Sequence, residues 1–140
     1  MDKTFVMIKP DAVKRNLIGK IISRIEDAKL KILEMKMLEL SAELAGTHYD
    51  EHKGKDFYNN LIEFVTSGPS VAMVLQAENV IPLVRKMIGA TDPKEADSGT
   101  IRGDLKEIPV KSVTENMIHA SDSEETAKRE IGLFFPHIKI

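Results

Sequence analysis

Residues 4–38, TFVMIKPDAVKRNLIGKIISRIEDAKLKILEMKML, change their apolar period twice, and that change decides the fold. Thr4 to Ile8 is a short β-branched or apolar run and reads as a buried strand. Leu17, Ile18, Ile21, Ile22, Ile25 and Ala28 then recur at helical spacing, with Lys20, Arg24, Glu26 and Asp27 on the opposite side. Leu33, Met35 and Met37 alternate with Glu34 and Lys36, the period of a strand with one wet face.

Working outward, Ser41 is placed to cap a helix running through Leu44 towards His52, and Asp56 to cap another carrying Phe57, Leu61, Phe64 and Val65. Gly68-Pro69 breaks the chain, and Ser70 to Gln76 reads as a third strand. Asn79 is expected to cap a further helix, with Pro82 tolerated in its first turn and Gly89 closing it. From Gly89 to Val113 no periodicity is sustained beyond a turn of helix near Pro93 to Ala96, and so long a loop is usually functional or disordered. Asn116 to His119 resumes as a short strand, and Ser121 with Glu124 forms a capping box for a helix through Ile131.

The order βαββαβ predicts an α/β sandwich of the ferredoxin-like kind, with a four-stranded antiparallel sheet and helices on one face. The other face must be covered by something, which points to oligomerisation. The expectation is a single domain over residues 1–140, with a long loop at about 89–115. A chain of this length buries a core without metal or disulfide staples.

Composition narrows the function. A net charge of −2 supplies no global positive field for nucleic acid or anionic membrane, so an anionic substrate must be held by a few placed cations. The absence of cysteine excludes disulfides, zinc-thiolate sites and thiol catalysis. The start, MDKTFVMIKPD, lacks the long apolar core of a secretory signal, and the apolar run Val71 to Leu75 is too short to cross a bilayer. A cytoplasmic protein with no membrane partner is expected.

The residues that can carry chemistry gather near the end of the chain. His119, in ENMIHASDS (115–123), lies at the end of a strand and two residues before an expected helix cap, where backbone N–H groups favour negative charge. That setting favours the neutral ring, whose nitrogen lone pair can attack. Glu130, on the following helix, can orient the Ser121 hydroxyl or the ring. Arg102 follows Gly99 and Thr100, whose N–H and hydroxyl suit phosphate contacts, while Arg85 and Thr91 flank the Gly89 cap. Taken singly, these arginines read equally well as solvated surface charges. Neither GxxxxGK[ST] nor GxGxxG is present. Lys9 and Asp11 lie just past the first strand, where they can face a ligand or form a plain turn. His48 and His52 are spaced to share a helix face, but HYDEH is not HExxH and no third ligand is evident, so no protein-held metal is expected.

Together IKPDAVKRNLIG, HYDEHKGKDF, TSGP, RKMIGATDP, GTIRGD and NMIHASDS occur in one order. By these motifs the chain resembles the nucleoside diphosphate kinase family over essentially its whole length. The resemblance implies a ferredoxin-like homo-oligomer, tetramer or hexamer, that moves phosphate between nucleoside triphosphates and diphosphates. It implies that His119 becomes phosphorylated on Nδ1, that Lys9 and Asn116 bind the sugar hydroxyls, and that Lys9 also lies near the transferred phosphate. Tyr49 would stand beside the histidine, and His52, Arg85, Thr91 and Arg102 would hold the phosphates. Phe57 would stack on the base with Val113 on its other face, while Ser121 and Glu130 support the histidine. Mg²⁺ would arrive on the substrate phosphates, with no direct protein ligand and with Asp122 reaching it through water. One pocket serving donor and acceptor in turn gives ping-pong kinetics.

Three departures stand out from the family pattern. LKEIPVKSVTE, between Arg102 and Asn116, is longer than usual and bears on the match of Val113. Ala120 replaces a commoner glycine, and Lys55-Asp56 an Arg-Pro pair. Two other classes compete with the enzyme: a phosphocarrier or regulatory binding protein using the same histidine or pocket without turnover, and a nucleic-acid-binding ferredoxin-like module. The second lacks tryptophan, has two tyrosines and is acidic, so no specific nucleic-acid partner is expected.

Overall fold

The computed structural model describes residues 2–138; residues 1, 139 and 140 of the expected domain lie outside them. The first strand shows no alternation because both its faces are covered. In β1 (Asp2–Ile8), Val6 and Ile8 enter one core while Phe5 and Met7 enter another. After it come α1 (Pro10–Lys14), α2 (Ile18–Asp27), β2 (Lys31–Glu39), α3 (Ala42–His48) and α4 (Tyr58–Val65). Then follow β3 (Pro69–Ala77), α5 (Val80–Ile88), α6 (Ile101–Leu105), β4 (Ile118–Ala120) and α7 (Glu124–Phe134).

The four strands form one antiparallel sheet in the order β2-β3-β1-β4, the expected ferredoxin-like arrangement. Helices on a single face were expected, and here the structure differs. Ile21 and Ile25 of α2 and Val84 and Ile88 of α5 pack on one face. Ala45 of α3, Leu61 and Val65 of α4, and Ile131 and Phe134 of α7 cover the other. The chain therefore covers its own sheet, and the bare-face argument for oligomerisation falls.

The alternation expected for β2 is displaced by a bulge between Ile32 and Glu34. Leu33 and Leu38 pack on the second core, and Lys36 lies over the Phe135 ring at 4.7 Å while bonding the Phe134 carbonyl. Met35 and Met37 are left in solvent on this edge strand, 48% and 58% exposed.

Ser41 caps α3 as expected, its Oγ accepting the Leu44 N–H at 3.0 Å. Asp56 does not cap α4, which starts after Phe57, and Asn79 precedes α5 in a left-handed conformation without a side-chain cap. The cap of α7 is Ser123, which accepts the Thr126 N–H at 3.1 Å, so the expected Ser121 capping box gives way to a simple cap two residues later. That shift frees Ser121 for the site. Within the long loop, the turn at Pro93–Glu95 appears and α6, capped by Thr100, was not foreseen.

Candidate active site

His119 is the middle residue of β4 and pairs with Met7 of β1. Its Nε2 meets both carboxylate oxygens of Glu130, at 2.9 and 3.0 Å. A carboxylate accepts, so Nε2 carries the ring hydrogen and Nδ1 keeps its lone pair. Nδ1 makes no hydrogen bond among the described residues. Glu130 Oε1 also accepts the Ser121 hydroxyl at 2.6 Å, so α7 and the end of β4 fix the ring together. Glu130 thus contacts both the ring and the Ser121 hydroxyl.

His48, which the sequence offered only as a metal ligand, lies behind His119. It is buried, with its ring edge-on to His119 at 4.8 Å and to Tyr49 at 4.4 Å, and its Nδ1 is 3.7 Å from Glu130. Burial, with the nearby cationic groups, pushes its pKa down to about 2. The ring is neutral at any ordinary pH. Burial and the Glu130 charge push the Tyr49 phenol up. His48 does not share a face with His52, because α3 ends at His48 and the chain continues as a 3-10 turn. Ligand atoms of His48, His119 and Glu130 do lie within 4.8 Å of one another, but the His119 nitrogen and the carboxylate are already joined by hydrogen bonds.

A second cluster forms where the start of α1 meets the approach to β4. Lys9, buried, donates through Nζ to Asn116 Oδ1 at 2.9 Å, and Asn116 donates to the Thr91 carbonyl at 2.9 Å. Arg102, also buried, donates to three carbonyls: Asn116 at 3.2 Å, Gly89 at 3.0 Å and Ile118 at 2.6 Å. Arg85 donates to the Ala120 carbonyl at 3.2 Å. Burial and the Arg102 charge pull Lys9 down to about 8, against the opposing effect of Asp11. Burial and Arg85 pull Arg102 down to about 10. Crowded cations of this kind favour an anion between them.

These side chains open on one cleft of about 370 Å³, large enough for a nucleotide-sized ligand. Lys9, Tyr49, His52, Phe57, Arg85, Thr91, Arg102, Val113, Asn116 and His119 all line it, together with Leu61 and Thr114. Phe57 and Val113 are 43% and 50% exposed, so both offer apolar surface to a ligand. The longer loop thus still brings Val113 to the cleft. Ser121 and Glu130 stand behind His119, and Asp122 is exposed outside the lining. Sequence reasoning missed Leu61 and Thr114 as lining residues and the place of His48; the HYDEH motif was the one available signal for the last.

The lining contains no carboxylate, so the cleft offers a hard cation such as Mg²⁺ no direct ligand set, and the nitrogen-rich group behind His119 does not suit it either. The residues fit a metal that comes and goes with a polyphosphate. No helix among the described residues is long and apolar enough to cross a membrane.

A family model described as nucleoside diphosphate kinase matches residues 2–140. A nucleoside diphosphate kinase of Methanocaldococcus jannaschii is 55% identical over 139 residues, 99% of this chain and 96% of that protein. One of Saccharolobus islandicus is 57% identical over 135 residues, 96% and 95% respectively. Among solved structures, the apo cubic form of the Encephalitozoon cuniculi nucleoside diphosphate kinase has a TM-score of 0.91 at 41% identity, covering 96% of this chain and 89% of that one. The Halobacterium salinarum enzyme in complex with CDP has 0.90 at 45%, covering 96% and 87%.

Proposed function

This chain belongs to the nucleoside diphosphate kinase family and is a phosphotransferase, and we propose that it passes the terminal phosphate of a nucleoside triphosphate reversibly to a nucleoside diphosphate through phosphorylated His119. The observation that carries the reading is the His119 ring, tied at Nε2 and unbonded at Nδ1, on a cleft lined by Lys9, Arg85 and Arg102. The Halobacterium salinarum relative was solved in complex with CDP, which supports a nucleotide as the ligand proposed for this cleft.

In the first half-reaction the Nδ1 lone pair forms a P–N bond to the terminal phosphorus as its bond to the bridging oxygen breaks. The nucleoside diphosphate leaves with that electron pair. The ring becomes cationic, and its Nε2–H faces the Glu130 carboxylate, which stabilises it. The reverse course, with a diphosphate oxygen attacking phosphorus, returns the neutral ring. Little covalent work falls to the protein; positioning and charge neutralisation by Lys9, Arg85, Arg102, Thr91 and His52 do the rest. Mg²⁺ supplied with the nucleotide shields its phosphate charge, and Asp122 is the acidic group proposed to reach the ion's water.

Lys9 and Asn116 hold the sugar hydroxyls, Tyr49 borders the histidine, and Phe57 and Val113 sandwich the base. Stacking of this kind accepts any base, so broad specificity follows. The exposed edge of β2, with Met35 and Met37 bare, supports a tetramer or hexamer built by a second copy. The cytoplasm is the proposed compartment of this enzyme.

Incubation with γ-labelled ATP and Mg²⁺ without acceptor is expected to give an acid-labile, base-stable phosphoprotein and free ADP. Added GDP or dCDP should then discharge the label into the matching triphosphate. Label that forms but cannot be discharged would make the protein a phosphocarrier, and normal turnover by His119→Gln would overturn the assignment.

A further inference from the structure

Met117 has a φ of 73°, and it alone among the described non-glycine residues with positive φ is buried, 1% exposed. The Ile118 N–H bonds the Asn116 carbonyl across it at 2.9 Å. An i→i+2 bond about a residue of positive φ marks the rare, strained form of γ-turn. Such strain persists only where the surroundings over-determine it.

Arg102 grips the Asn116 and Ile118 carbonyls on either side of the turn, and one short segment holds Met117 itself. The Lys9 N–H donates to the Met117 carbonyl at 2.8 Å, and Asp11 Oδ2 accepts the Met117 N–H at 3.1 Å. Asp11 belongs to α1, which starts one residue after β1, so its carboxylate is carried by one of the sheet's two inner strands. Burial raises its pKa, while Lys9 and facing N–H groups pull it back down. Asp11 does not line the cleft; it reaches the lining through the turn and through its charge, which favours the charged forms of Lys9 and Arg102. The residues on either side of that turn do line it: Asn116 directly before, His119 two after.

We propose that Asp11 is a positioning residue, whose carboxylate holds the strained turn at Met117 and thereby sets Asn116 and the His119 strand for phosphoryl transfer. The proposal rests on the function assigned above to His119.

The test compares Asp11→Ala, Met117→Gly and the double variant by single-turnover labelling with γ-labelled ATP and Mg²⁺, and by hydrogen exchange at the amide of residue 117. Misplacement of reacting groups slows transfer steeply, so Asp11→Ala should slow labelling about 10–100-fold, with faster exchange at residue 117. Glycine adopts positive φ without steric strain. In the Met117→Gly background, therefore, the same Asp11→Ala change should slow labelling less than about threefold. Equal losses in both backgrounds, no loss in either, or unchanged exchange at residue 117 would overturn the proposal. If Asp11→Ala does not fold, Asp11→Asn carries the same comparison: it keeps an acceptor oxygen, and its smaller loss should likewise vanish beside glycine. If the unaltered protein took no label, the functional reading would fail, whereas amide exchange would still decide whether Asp11 holds the turn.

Discussion

Replacing Glu130 by glutamine keeps the shape of the side chain and removes its charge. Both carboxylate oxygens meet His119 Nε2, at 2.9 and 3.0 Å, and one also takes the Ser121 hydroxyl at 2.6 Å. The residue is 3% exposed, so solvent screens little of the interaction. As phosphate joins Nδ1 the ring gains positive charge, and the carboxylate bond strengthens in the transition state. Glutamine offers a neutral oxygen or, turned over, an N–H that drives the ring hydrogen onto Nδ1 and removes the attacking lone pair. Bonds to charged groups contribute roughly 1.5–3 kcal/mol against roughly 0.5–1.5 for neutral pairs, a difference of about 1–2 kcal/mol. At about 1.36 kcal/mol per tenfold, Glu130→Gln should slow phosphorylation of the protein roughly 5–30-fold. Rapid-quench labelling with γ-labelled ATP reads the rate, and thermal unfolding alongside checks the fold. An unchanged rate in an intact fold would show that the carboxylate does not assist the histidine.

Lys9, at about pH 8, loses its charge as pH rises, so kcat/KM should fall above that point, and Lys9→Met should start low and show no such step. A pH–rate profile that stays flat through pH 9 in the unaltered protein would remove Lys9 from phosphate binding. His48 is held neutral down to about pH 2, whereas the unfolded chain protonates it near 6.5. Unfolded protein thus binds the extra proton below 6.5, and stability should fall on acidification by up to about 1.4 kcal/mol per pH unit from this group. Denaturant titrations should show a shallower acid slope for His48→Phe; identical slopes would contradict the burial argument. Arg102→Ala should lower transition-state stabilisation by roughly 2–4 kcal/mol and also lower the Tm, since three backbone carbonyls lose their donor. Arg85→Ala, which frees one carbonyl, should slow turnover with a smaller change in Tm.

Most of the sheet could be read from the sequence because its strands are bounded by strong breakers and each apolar run is short. Met35 and Met37 show where such reading fails: one extra residue at the Ile32–Glu34 bulge inverts the faces of β2, and period alone carries no mark of a bulge. The second helical layer escaped notice because β1 and β3 are buried on both sides, and a continuous apolar run says nothing of how many layers cover it. At the site, Lys9, His52, Arg85, Arg102 and Asn116 line one cleft with His119, while Ser121, Asp122 and Glu130 lie outside its lining. Ser121 was legible as a polar residue near a helix start but not as a donor to Glu130, since two serines, Ser121 and Ser123, competed for the cap. The turn at Met117 was invisible, because methionine gives no signal for positive φ.

Phosphorus NMR of the denatured phosphoprotein at alkaline pH distinguishes the two phosphohistidine isomers and measures the central claim most directly. With Nε2 committed to Glu130, the phosphate should reside on Nδ1 of His119 alone. A signal from the Nε2 isomer, or phosphate on Ser121 or any other residue, would contradict the account.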